Sequence, residues 1–302
     1  MTRLVHRRHR SLAVLAALLA VAVVAVPAAA GVAVRRTWTA AIGTGGTSGS
    51  SRLVAFTDGT GTLVLDARRL AASRIYSVRI HSGTCSRLGR AYLTLPAIAG
   101  DATGAARAAY SMSGPRMNAV YSAYYARGAI AIRLVSGASV RCGTYTFPTA
   151  TRVVISGIGV DMPVVLGPRG TLYCKVAMYL RQLSQPREPG VTYLYAHARR
   201  GMFLPLLTAS WRNNGASLIG RTVRVYTSDS RYWTYRISRV RRHQTSIQSA
   251  FGIGARQLWL QTSEGPYASS LKLVVIALPT GGPYRASYAA SHPTPHPYAC
   301  PV

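Results

Sequence analysis

The chain has 302 residues, long enough for two domains of ordinary size that each bury a core, and its 49% apolar content excludes a disordered polymer. Thirty-six basic residues against seven acids give a formal net charge of +29. Lys175 and Lys272 are the only lysines, so the charge is almost all guanidinium, which grips carboxylate or phosphate bidentately. The arginines are spread along both halves with no tight cluster or reading motif, which argues against nucleic acid and for an anionic cell-wall polymer or membrane surface.

Arg3, Arg7, Arg8 and Arg10 precede an uncharged run from Ser11 to Val34 that is interrupted by Pro27 and Gly31. Residues 1–36 therefore read as an export signal, in one of two forms. Ala28-Ala29-Ala30 fits a small-residue cleavage site of a secretory signal peptide. Uncleaved, the 23 residues Leu12–Val34 meet the ~20 needed for a membrane anchor with its positive end inside. Either form places the rest of the chain outside the cytoplasm, secreted or anchored at the cell surface. There the four cysteines can be oxidised, and pairing within each half is the simplest of the three connectivities.

Residues 37–49, rich in Gly, Ser and Thr, read as a linker. Over residues 50–149, short alternating runs such as Thr62–Asp66, Ile75–His81 and Ala129–Leu134 are separated by turns bearing Gly, Ser or Asp, the pattern of an antiparallel β-sandwich of six to eight strands. The run Tyr121–Tyr125 reads as sheet packing. Val78-Arg79-Ile80-His81-Ser82-Gly83-Thr84-Cys85, with Tyr92–Leu95, Gly104 and the late pair Arg141-Cys142, resembles the chordin-type (CHRD) β domain of bacterial secreted proteins. The resemblance implies a β-sandwich with a Cys85–Cys142 disulfide and no known catalysis. His81 reads as hydrogen-bonded within its turn and not as a metal ligand, because residues 82–150 hold no second histidine.

From residue 150 to 280 the β runs lengthen: Arg152–Val165, Val191–Ala196, Thr222–Tyr226, Tyr232–Val240, Leu258–Thr262 and Leu271–Leu278, with a hairpin turn at residues 227–230. Cys174–Leu183 reads as a short helix ended before Pro186. The architecture expected is all-β: the sandwich, then a closed β-barrel with one or two short helices. Residues 281–302, with His292-Pro293-Thr294-Pro295-His296-Pro297, read as a flexible Pro-rich tail.

This second half resembles the sortases, extracellular cysteine transpeptidases with an eight-stranded barrel. Val153–Val165 is similar to their first strand pair. Pro189-Gly190 with Thr192–His197 and Gly201–Leu206 is similar to the strand and loop bearing the essential histidine. Leu258-Trp259-Leu260-Gln261-Thr262-Ser263 is similar to the strand ending in Thr-Cys, and Lys272–Val275 to the strand that begins with the essential arginine. Carried over by position, His197 is the histidine, Ser263 stands where the family has cysteine, and Lys272 where it has arginine.

Two functions follow from the resemblance. One is acyl transfer or hydrolysis on a peptide sorting-signal-like substrate or cell-wall acyl group, with Ser263 as nucleophile, His197 as acid/base and Lys272 as oxyanion donor, or as the base if its pKa is lowered. The other is a catalytically inactive relative that grips an extended peptide or an anionic wall polymer. A serine hydroxyl needs a general base where a thiol needs only a nearby cation. Glu264 and Asp229 are the acids that could orient His197. Cys174 offers an alternative nucleophile, against a Cys174–Cys300 disulfide or a buried thiol. Tyr195, Met202 and Phe203 are candidates to line a groove. No cofactor or metal is called for.

Overall fold

The computed structural model describes residues 32–265 and 271–300. The signal-or-anchor segment up to residue 31 lies outside the described residues. Among the described residues no helix is long and apolar enough to cross a membrane.

The first half is one continuous eight-stranded antiparallel sheet in the order β5-β4-β7-β8-β1-β2-β3-β6. Its strands are β1 (Val34–Ala41), β2 (Gly49–Phe56), β3 (Gly61–Ala67), β4 (Ile75–Thr84), β5 (Arg87–Ala99), β6 (Ala106–Met112), β7 (Ile130–Ser136) and β8 (Ser139–Thr146). Alternation builds it: Leu63 and Leu65 of β3 are buried, while Val64 between them is half exposed. In place of the expected two-sheet sandwich, the inner face packs on a helix, α1 (Gly114–Arg127), whose Met117, Val120, Ala123 and Tyr124 enter the core at helical spacing. Pro115 starts α1, and Gly128, in the left-handed region at φ 74°, ends it with its N–H on the Tyr124 carbonyl. Tyr121–Tyr125 are therefore helical, not strand. Cys85 and Cys142 are joined by a disulfide.

The expected linker over 37–49 is instead largely β1 and its turn. β1 sits between β2 and β8, and Trp38, Ala40 and Ile42 are buried in the core. The end of the expected signal segment is folded as well. Arg36 is 5% exposed and donates through Nε and Nη2 to both carboxylate oxygens of Glu188, at 2.7 and 2.8 Å. Glu188 belongs to the barrel half, so this fork-on-fork pair joins the two halves. Burial works to lower the Arg36 pKa, and Glu188 outweighs it, holding the guanidinium charged. The Phe147 ring lies 4.5 Å from Arg36 Cζ and completes its enclosure.

The second half is a closed barrel in the order β10-β12-β13-β16-β17-β15-β14-β9. Its strands are β9 (Ala150–Ile155), β10 (Val160–Leu166), β12 (Ala177–Tyr179), β13 (Val191–Tyr195), β14 (Thr222–Thr227), β15 (Arg231–Gln244), β16 (Gln257–Ser263) and β17 (Lys272–Arg285). A two-residue strand, β11 (Tyr173–Cys174), lies between β10 and β12 in the chain, and α2 (Leu204–Ser210) follows the histidine loop. Leu258, Leu260, Leu273, Val275 and Ala277 fill the barrel, while Trp259, Val274 and Ile276 face outward into a second core with Val176, Met178, Tyr193 and Tyr195.

Two expectations fail in this half. Cys174–Leu183 is not a helix: it holds β11, β12 and a turn. Its unbroken apolar run exists because β12 is covered on both faces, Ala177 and Tyr179 inward and Val176 and Met178 outward. Residues 281–302 are not a flexible tail over their described length. β17 runs on to Arg285, α3 (Tyr288–Ser291) is capped by the Ser287 hydroxyl, and β18 (Tyr298–Ala299) pairs with β11.

The Arg36→Met variant leaves Glu188 buried and unpaired, and a loss of ~3–5 kcal/mol in urea unfolding is expected. Adding Glu188→Met to it should recover much of that loss; a double variant no more stable than the single would contradict the pairing as its cause.

Candidate functional site

The site is fixed by strand register. β16 lies between β13, which it meets in parallel, and β17, which it meets antiparallel. Because successive side chains alternate faces, Ser263, Gln261, Trp259 and Gln257 share the outer face of β16, while Thr262 and Leu260 point inward. Ser263 is the last residue of β16 and pairs with Lys272, the first of β17. The lysine Nζ donates to the serine Oγ at 3.0 Å. Both side chains are half-buried, and burial lowers the lysine pKa from its ordinary value.

His197 comes from the other neighbour. Tyr195 pairs with Gln261, Ala196 N–H then donates to the Gln261 carbonyl at 3.1 Å, and the buried Thr262 hydroxyl donates to the Ala196 carbonyl at 2.9 Å. These bonds carry the chain past the end of β13 to the residue before His197, alongside the residue before Ser263. The chain then turns sharply, with Phe203 N–H on the His197 carbonyl at 3.1 Å and Met202 N–H on the Arg199 carbonyl at 2.9 Å. The structure thus joins Ser263 and Lys272 across one rung, with His197 in the loop that follows the neighbouring strand β13.

No hydrogen bond joins His197 to Ser263, and His197 Nε2 is buried without a partner. Burial lowers the imidazole pKa and the Arg199 charge lowers it further, against the opposing influence of the Leu172 backbone, which favours the charged ring. No carboxylate acts on this ring. Glu264, next to Ser263, receives Arg242 Nε at 3.0 Å and His243 Nδ1 at 2.8 Å. Asp229 accepts from Thr227 in the hairpin at the far end of β15, where Arg231 pairs with Arg285, whereas Gln244 pairs with Lys272 at the near end. Neither acid orients His197. A Ser–His–acid triad is therefore not assembled, and the group in contact with Ser263 is an amine.

Other expectations are corrected. Cys174 is bonded to Cys300 and carries no thiol, so it is not a nucleophile. Met202 and Phe203, 4% and 0% exposed, belong to the inner barrel core and not to a groove. Tyr195 faces outward but is packed in the second core, with its ring centroid 6.4 Å from that of Tyr193. Arg242 and His243 are pinned by Glu264, which ties the end of β15 to the Ser263 turn. Nothing local in the sequence signals this, since the partners are 21 and 22 residues apart.

With its pKa below the usual ~6.5, His197 is neutral at pH 7. A histidine-resolved NMR titration should place its midpoint below 6.5; a midpoint at or above that value contradicts the burial described.

No protein-family model matches the chain, and a comparison with curated proteins finds no match. Among solved structures, the chain is similar to sortase C2 of pilus island 1 from Group B Streptococcus (20% identity, TM-score 0.36, 43% of this chain and 73% of that one). It is also similar to sortase A of Listeria monocytogenes (14%, TM-score 0.35, 44% and 88%) and to sortase C-1 of Actinomyces oris (20%, TM-score 0.36, 43% and 71%). At TM-scores below 0.5 these likenesses carry no weight for what the chain does. The barrel stands on its strand order, and the chemistry on the residues above.

Proposed function

We propose that this protein is an extracytoplasmic serine acyltransferase or acyl hydrolase acting on a peptide or cell-wall acyl substrate, with Ser263 and Lys272 as its reactive dyad. The observation that carries the proposal is the 3.0 Å contact between Lys272 Nζ and Ser263 Oγ, made by a lysine whose burial favours the neutral amine. A neutral amine is a base, and at this distance it can take the hydroxyl proton directly.

In the first step Ser263 Oγ attacks the acyl carbon while its proton passes to Lys272 Nζ. The ammonium so formed lies beside the oxyanion of the tetrahedral intermediate and supports it. Collapse breaks the bond to the leaving group, which takes the proton back from Lys272 and departs, leaving an ester on Ser263. In the second step water or an amine attacks that ester. His197, neutral and one strand away, accepts the incoming proton, and Ser263 Oγ leaves reprotonated. The two disulfides support an oxidising compartment, and the surplus of guanidinium suits an anionic surface.

A fluorophosphonate serine probe distinguishes base from oxyanion donor at position 272. Labelling of Ser263 should rise with pH to a plateau at the lysine pKa, below 10.5, because the amine must be neutral. Lys272→Arg keeps the charge but cannot act as a base, and a loss of ~10²–10⁴-fold in labelling rate is expected. Labelling at wild-type rate in that variant overturns the dyad; a protein that binds peptides but is never labelled is the inactive binder.

A further inference from the structure

The C-terminal residues return to the candidate site by a route that none of the chemistry above requires. After α3, whose Ala290 carbonyl receives Arg152 Nη1 at 3.2 Å, His292 is held against the Ser228 carbonyl at 3.1 Å by its Nε2. The chain then reaches β18, which pairs antiparallel with β11 in the register Tyr173 to Ala299 and Cys174 to Tyr298. Cys300 N–H donates to the Leu172 carbonyl at 3.0 Å, and Cys300 is disulfide-bonded to Cys174, with both cysteines 4% exposed. The Lys175 ammonium lies 5.7 Å from the Tyr298 ring centroid.

The other side of this small ribbon meets the histidine loop. The Leu172 backbone comes near enough to the His197 ring to favour its charged form, and Arg199 Nη1 lies 3.7 Å from Cys174 Sγ. Leu172 and Tyr173 lean on the outer core beneath the site, and Tyr173 N–H meets the Met178 sulfur at 3.4 Å. His197 itself lies beyond the last residue of β13, in a loop with no regular structure until α2. The ribbon therefore meets the histidine loop at Leu172 and at Arg199. Two paired residues make too short a ladder to persist alone, and the covalent bond between Cys174 and Cys300 supplies the persistence.

We propose that the Cys174–Cys300 disulfide is a positioning element of the candidate site: by fixing the last residues of the chain onto β11 it presses Leu172 against His197 and holds the imidazole in place beside Ser263. Cys174 and Cys300 touch neither substrate nor reacting atoms, and act through Leu172 and His197. The proposal rests on the reading of His197 as the proton acceptor of the second step. A misplacement of about an ångström at such a group costs on the order of 10²-fold in rate.

The test compares the full chain with Cys174→Ala/Cys300→Ala, which removes the bridge without leaving an odd thiol. A second pair, Cys174→Val/Cys300→Ala, keeps more of the buried volume if the first fails to fold. Folding is checked by circular dichroism, His197 is followed by NMR titration, and turnover is measured with p-nitrophenyl acetate. The expected result is a folded variant whose His197 midpoint is displaced from that of the full chain and whose kcat falls about 10–100-fold with KM little changed. In a His197→Gln background, removing the bridge should lower kcat no further. A folded variant whose His197 titration and kcat match the full chain overturns the proposal, as does an equal further loss in the His197→Gln background. The titration needs no turnover. If the full chain proves inactive, the acyl-transfer reading fails and the clamp is judged on the titration alone.

Discussion

One rung of a β-ladder, Ser263 opposite Lys272, is the constraint on which the site depends. Its face is set by parity. Leu258, Leu260 and Thr262 are committed to the barrel interior, so Ser263 has to face outward, and Leu273, Val275 and Ala277 impose the same on Lys272. A slip of one residue in β16 would turn Ser263 into the core and expose Leu258 and Leu260. The parallel pairing of β13 with β16 brings His197 to the same end. The hydrophobic core that closes the barrel is thus the device that aligns the chemistry.

The shortage of acids decides which chemistry is open. Asp58 and Asp101 cap their own turns, Asp66 meets Arg68 and Arg107, and Asp161 meets Arg152. Glu188 is buried on Arg36, Asp229 holds Thr227, and Glu264 holds Arg242 and His243. All seven carboxylates of the chain are engaged away from His197, so its imidazole has no anion to orient it or to stabilise its charged form. A serine in such surroundings is left with the amine beside it. The few acids sit in turns and at joints between elements, the Arg36–Glu188 pair above all.

Much of this was legible in the residues. Alternation located β3, β4, β7, β14 and β15, longer apolar runs located β13, β16 and β17, and the order of motifs set Ser263 at the end of one strand and Lys272 at the start of the next. The His-Ser-Gly-Thr-Cys stretch is the end of β4, with only Cys85 in the turn to β5, and Gly83 within it sits at φ 88°, where a Cβ would collide with the Arg87 carbonyl. What failed did so for identifiable reasons. The aromatic run Tyr121–Tyr125 has strand propensity, and only the outer signals, Pro115 and Gly128, mark the helix. The apolar stretch from Val176 to Tyr179 reads as a helix because both of its faces are covered. The Gly- and Ser-rich turn after β1 masked a central strand, and the Pro-rich tail is ordered by long-range partners, β11 and Cys174, that no local pattern encodes. The depressed lysine pKa likewise comes from burial, which has no signature in the sequence around Lys272.

The most direct measurement is the mass of the protein after incubation with a short peptide thioester, followed by peptide mapping. The account predicts an acyl adduct on Ser263 that forms in the full chain and is lost in Lys272→Arg. A chain that stays unmodified, or one acylated at a residue other than Ser263, would contradict it.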